Sequence, residues 1–143
     1  EPDAAFVPHD CGAAKTAKNG GSLILGLGSD LIEIARIERA ARQEHFLTRV
    51  FTEEERRQSG GNMAFLAGCF AVKEAVVKSF GTGFRGITPA EIEVLRDRLG
   101  KPYVCLTGAA AAQCEALGAA LPLVSISNTK THAMAVAVLE RLL

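Results

Sequence analysis

"FLAGCFAVKEAVVKSFGTG", residues 65–83, is the stretch on which the reading of this chain turns. At about 100° per residue, Phe65, Cys69, Val72, Val76 and Phe80 share one stripe, the signature of an amphipathic helix starting near Asn62 and running to Phe80. Phe70, Glu74, Lys78 and Gly81 fall on the opposite side. The stripe is a core face; the other side sets a half-exposed phenylalanine beside a carboxylate and an ammonium. As a solvated i,i+4 pair in the favoured orientation, Glu74 and Lys78 would contribute about 0.3–0.5 kcal/mol. The same two groups also suit a ligand, the carboxylate taking a hard cation and the lysine a phosphate, although most such charges are solvated. Periodicity alone does not choose.

Outward from this helix, the preceding text holds two capping signals. "SDLIEIARIERAARQ" has apolar residues at 31, 34 and 37, one helix face, and Asp30 followed by Glu33 fits a capping box opening that helix. "TEEERRQ" repeats the signal with Thr52 as N-cap and Glu55 at the third helical position, ending at Ser59-Gly60-Gly61. Before both, "LILGLG" (23–28) reads as a short buried strand. After the long helix, Thr88, Pro89 and Glu91 make a single helical turn leading into the strand "IEVLRD". "YVCLT" alternates as a half-buried strand, and residues 108–117 form an alanine-rich helix closed by Gly118. "LVSIS" and "HAMAVAVL" then flank "NTK" as a hairpin with Asn128 in its turn. The order β-α-α-α-β-β-α-β-β predicts an α+β fold, a mainly antiparallel sheet packed with a long central helix.

The 143 residues amount to one domain. Residues 1–22 lack periodicity and end in Gly-Gly-Ser, so they are expected to be a flexible extension, leaving 23–143 as the packed domain. Lysine plus arginine balance aspartate plus glutamate, sixteen against sixteen, so no global field draws the chain to nucleic acid or an anionic membrane. No apolar run approaches the ~20 residues of a membrane span. The four cysteines, Cys11, Cys69, Cys105 and Cys114, show no C-x-x-C pairing, and they are expected to be reduced in a cytoplasmic protein.

Four segments in order, "GLGSDLIEIARIERA" (26–40), "FLAGCFAVKEAVVKSFGTG" (65–83), "GKPYV" (100–104) and "VSISNTKTHAMAVAV" (124–138), resemble the holo-[acyl-carrier-protein] synthase family, the short 4′-phosphopantetheinyl transferases. The K-E-A-x-x-K helix ending in F-G-T-G carries most of the likeness, and G-x-G-x-D-x-x-E followed by Arg-Ile the next share. The resemblance implies Mg²⁺-dependent transfer of the phosphopantetheine arm of coenzyme A to a serine of apo acyl carrier protein, as in fatty acid biosynthesis. Adenosine 3′,5′-bisphosphate is the other product.

On that resemblance, Asp30 and Glu74 hold the metal, and Lys78 stabilises charge on the leaving phosphate. Phe70, Lys78, Gly81, Asn128 and Thr129 are expected around coenzyme A, with Glu74 and a water receiving the serine proton. Arg36, Arg39 and Arg42 are expected to dock the acidic helix of the carrier, and the resemblance implies a homotrimer with active clefts between subunits. The last hairpin departs from the family pattern S-x-S-H: Ser125-Ile126-Ser127 is followed by Asn128, which donates a hydrogen bond but brings no charge. That departure keeps open an alternative, a coenzyme-A- or carrier-binding homologue with little turnover. His132, four residues on, reads as a structural strand histidine.

Overall fold

In the computed structural model, residues 22–142 are described. The extension expected over residues 1–22 lies outside them except for Ser22, which already pairs with Leu142. Strand β1 (Ser22–Glu33) runs antiparallel to β5 (His132–Leu142), and β4 (Leu123–Asn128) pairs with the other edge of β5, giving the order β1-β5-β4. A second antiparallel sheet pairs β2 (Ile92–Arg96) with β3 (Pro102–Leu106). Between β1 and β2 lie α1 (Ile34–Ala40), α2 (Phe46–Val50), α3 (Glu53–Ser59) and α4 (Met63–Phe80); α5 (Gly108–Ala116) joins β3 to β4. This is the α+β order expected, with the short helix α2 added.

Helix α4 is the spine. Asn62 caps it by accepting the Phe65 N–H, and Gly81 ends it in the left-handed region at φ 78°. Apart from Phe70, Glu74 and Lys78, every residue from Leu66 to Phe80 is buried. One side rests on the three-stranded sheet, where β5 turns Ala133, Ala135, Ala137 and Leu139 inward, all at 0% exposure. Three alanines in a row of four let the helix approach the sheet closely.

Two local readings hold and one does not. Thr52 accepts the Glu55 N–H while Glu55 accepts the Thr52 N–H, the expected capping box, and Glu91 closes the same motif on Thr88 before a single 3₁₀ turn, Pro89–Glu91. Asp30 caps nothing. β1 continues through it to Glu33, which pairs with His132, and α1 begins only at Ile34, with Glu33 as N-cap and no side-chain cap. The pairing offered by β5 satisfies the backbone over residues 30–33, so a locally plausible helix start loses to a ladder. Leu31 is accordingly exposed on the strand, and the buried face of α1 is Ile34 and Ile37.

Cys69 and Cys114 are buried free thiols as expected, and burial pushes the Cys69 thiol up to about 12, leaving it an inert small hydrophobe. Cys105, however, is disulfide-bonded, against the expectation of a reduced thiol. Lack of a C-x-x-C pair excludes only a partner nearby in sequence. Cys11 lies outside the described residues. Among the described residues, no helix is long and apolar enough to cross a membrane.

Candidate active site

The glycines of "GLG" are where the site is set. A Cβ on Gly26 would stand 2.0 Å from the Ser79 carbonyl oxygen, and one on Gly28 1.8 Å from that of Ala75. β1 and α4 therefore touch backbone to backbone, an approach only glycine permits. Ala75 and Ser79 directly follow Glu74 and Lys78 in the chain. Asp30 lies two residues beyond Gly28 and so points to the same side of the strand. The contact thus carries a carboxylate of the strand to the polar edge of the helix.

There the Lys78 ammonium donates to the Ser29 carbonyl at 2.9 Å and to Asp30 Oδ1 at 3.4 Å. Lys78 spans to the strand instead of pairing along its own helix with Glu74. Its side chain is 53% exposed and that of Asp30 17%, so the pair opens to solvent on the lysine side. Glu74 is half-buried. Burial, and next the negative charge of Asp30, push its carboxyl above the ordinary value, while Lys78 and Arg36 pull it down. Two carboxylates, an ammonium and a guanidinium thus share one electrostatic group.

Phe70 is half-buried and packs on the core. Gly81 donates its N–H to the Lys78 carbonyl and has open space where a Cβ would be, at the start of a loop in which Gly83 and Gly86 also have positive φ. Arg36 and Arg39 on α1 line an open pocket of ≈ 270 Å³ with Leu31, Ile32, Glu33 and His132. Arg42 is exposed just after α1. His132 is half-buried, with Nδ1 2.8 Å from the Thr131 hydroxyl, and forms part of that pocket's wall.

Asn128 and Thr129 are not brought to the carboxylates. Asp30 faces Ala135 and, beyond it, Ile126, whereas Asn128 faces Ala133 and, beyond it, Ile32. Two strand spacings, roughly 10 Å, and a register step intervene. The Thr129 hydroxyl accepts the N–H groups of Thr131 and His132, holding the hairpin turn.

The donor set has the chemistry of an open cation site. Among the described residues no three or more His, Cys, Asp or Glu side chains gather into a metal cage. Two carboxylates from separate elements remain, kept close despite like charge, and that suits Mg²⁺, which takes one or two carboxylates and completes its octahedron with water and phosphate oxygens.

Comparison with known proteins gives this arrangement its context. The model of the 4′-phosphopantetheinyl transferase superfamily matches residues 26–137, a span containing every group just described. The chain belongs to this superfamily. Among phosphopantetheinyl transferases, the holo-[acyl-carrier-protein] synthase of Lachnoclostridium phytofermentans is 51% identical over 108 residues, 76% of this chain and 88% of that relative. The synthase of Photorhabdus laumondii is 43% identical over 124 residues, 82% of this chain and 98% of the relative. The crystal structure of the Neisseria meningitidis synthase matches with a TM-score of 0.75 at 32% identity, over 82% of this chain and 98% of that one. The Bacillus anthracis synthase, solved in complex with CoA (3′,5′-ADP), matches at 0.69 and 35% identity, over 82% and 97%.

One feature of this phosphopantetheinyl transferase escapes the helix-face reading. Lys73, directly before Glu74, is fully buried, and its ammonium donates to Glu55 Oε1 at 2.9 Å, to the Pro89 carbonyl at 2.9 Å and to the Ile92 carbonyl at 2.6 Å. The signal was present in the sequence: at about 100° per residue Lys73 projects only about 40° from Cys69, at the margin of the apolar stripe. A charge buried there requires a buried partner, and Glu55, also at 0% exposure, supplies it.

Proposed function

We propose that this chain is a holo-[acyl-carrier-protein] synthase, transferring the 4′-phosphopantetheine arm of coenzyme A to a serine of an apo acyl carrier protein and releasing adenosine 3′,5′-bisphosphate. The observation that carries this reading is the convergence of Asp30, Glu74, Lys78 and Arg36 through the β1–α4 backbone contact, in a chain of this superfamily.

In the reaction the serine oxygen forms a bond to the phosphorus bearing the pantetheine arm, and the bond from that phosphorus to the bridging oxygen breaks. Charge grows on the departing bisphosphate. The half-exposed Lys78 ammonium is available to meet it, and such a preorganised cation is among the larger contributions to phosphoryl transfer. Asp30 and Glu74 would hold Mg²⁺, which when bound neutralises negative charge on the diphosphate. Glu74, through a water, takes the serine proton. Gly81 leaves room for the nucleotide beside the helix end; Phe70, roughly 16 Å back along α4, would pack on the pantetheine arm instead.

The carrier docks on α1. Arg36, Arg39 and Arg42 are exposed, and the first two line the pocket beside β1, so local positive charge is available to an acidic helix on a protein of zero formal net charge. Arg36 also acts on Glu74, which links the docking surface to the reacting group.

The chain works as a homotrimer in the cytoplasm. The outer face of β1-β5-β4 supports self-association: Leu27 and Leu31 are each 69% exposed, Leu123 60% and Met134 37%, an apolar surface where a solvated sheet face carries polar residues. A neighbouring copy on this face would also bring a second chain's Asn128 and Thr129 into consideration as nucleotide contacts, since a single chain holds its own away from Asp30.

The test is incubation with coenzyme A, Mg²⁺ and an apo acyl carrier protein, followed by intact-mass measurement of the carrier. A gain of one phosphopantetheine is expected. Coenzyme A binding without any gain would replace this reading with a binding homologue.

A further inference from the structure

The geometry points to Lys73 and Glu55 as a positioning pair for Glu74, fixing the rotation of α4 about its own axis. This inference rests on the transferase reading above.

Four elements meet at the Lys73 ammonium. Glu55 comes from α3, Pro89 from the 3₁₀ turn and Ile92 from the start of β2, and the aromatic face of Phe51, 5.7 Å away, closes the site. Glu55 is equally engaged: Oε1 accepts the Thr52 N–H at 2.8 Å, and Oε2 accepts the Val94 N–H at 3.1 Å. Neither side chain has any exposure, so bulk solvent does not reach the pair. The ammonium's three donors match its three acceptors, which fixes the direction of the side chain as well as its length.

A buried ion pair of this kind is weak evidence for stability, because an apolar pair of similar volume often does as well or better. What the polar pair adds is direction. Gly26 and Gly28 fix how closely α4 lies to β1, but a helix packed on small side chains can still roll. Lys73 is anchored on the side of α4 facing β2, and Glu74 follows at about 100° around the axis. Locking the one aims the other. Side-chain tips lie roughly 5–6 Å from a helix axis, so a roll of about 10° would move the Glu74 carboxylate by about 1 Å. A displacement of that size costs on the order of 10²-fold in rate. The bond to the Pro89 carbonyl also fixes the far end of the loop that begins at Gly81.

The test compares wild type with Lys73→Met, Glu55→Leu and the double variant, measuring thermal stability, kcat and the KM for carrier. Each single variant leaves a buried charge or an empty acceptor set and should lose stability. The double variant should regain the part due to the unpaired charge, while the Thr52 and Val94 N–H groups and the Pro89 and Ile92 carbonyls still lack the partners they had. Positioning predicts that the recovered double variant still has kcat reduced on the order of 10²-fold, with KM for carrier within about twofold of wild type. Recovery of stability together with near-wild-type kcat would overturn the proposal. If the double variant does not fold, Lys73→Met is assayed in the cold and its rate normalised to the folded fraction by circular dichroism. A normalised rate near wild type is then the overturning result. An inactive wild type would refute the transferase reading itself, whereas an active wild type with an equally active double variant refutes only this inference.

Discussion

Gly28 and Ala75 meet with no side chain between them: a Cβ on the first would lie 1.8 Å from the carbonyl oxygen of the second. Because Glu74 precedes Ala75 and Asp30 follows Gly28 by two residues, this contact sets the separation of the two carboxylates. Gly28→Ala should push α4 off β1, costing about 1–3 kcal/mol as an overpacking change and at least tenfold in turnover. Urea denaturation with parallel rate measurements checks it; a variant with normal stability and rate would show that the contact is not tight.

Asp30→Asn and Glu74→Gln should each abolish Mg²⁺-dependent transfer while the fold persists. Removing the Glu74 charge takes away one that burial and Asp30 both oppose, so Glu74→Gln should unfold at or above the wild-type temperature at neutral pH. Circular dichroism and the carrier mass assay read the two effects separately. Near-normal transfer by either variant would refute the metal assignment.

Reversing Arg36 and Arg39 to glutamate should raise the KM for carrier far more than that for coenzyme A, and added salt should narrow the difference between variant and wild type. Equal effects on both substrates would remove α1 as the docking surface.

Glu91 predicts a pH dependence of stability. Burial works upward on its carboxyl, but hydrogen bonds from the Ala110 N–H, at 2.9 Å, and from Thr88 outweigh it, and the group sits below its ordinary 4.5. A lowered folded-state value means that Glu91 stabilises the fold above the ordinary value and ceases to do so as pH falls through the folded one. Glu91→Ala should therefore cost about 1 kcal/mol at neutral pH, as for loss of a helix cap, with the gap to wild type closing below pH 4.5. Denaturation curves across that range give the answer.

Leu27→Asp combined with Leu31→Asp should convert the assembly to monomers in sedimentation, with α-helix content retained. A charged sheet face that still sediments as a trimer would move the interface elsewhere.

The long helix and both Thr-x-x-Glu boxes were legible because their causes are local: a 3.6-residue period, and a hydroxyl three residues before a carboxylate. Asp30 and Glu33 carry the same local text and yet belong to a strand, since the deciding partner is His132, at the far end of the chain. Glu74 and Lys78 were legible as a charged edge, but Lys78 turns to a strand that helix geometry does not foresee. Lys73 was visible as a charge at the margin of an apolar stripe, and its partner on α3 was not, because tertiary pairing leaves no spacing signature.

The bond from Lys78 to Asp30 has a consequence for the resting protein. Its acidic pair already owns a counter-ion, covalently attached and half in solvent, so the fold need not wait for a divalent ion to quiet the repulsion. On the proposed metal assignment, a divalent cation held by Asp30 and Glu74 would take over this neutralising role, and Lys78 would be free to turn to the leaving phosphate.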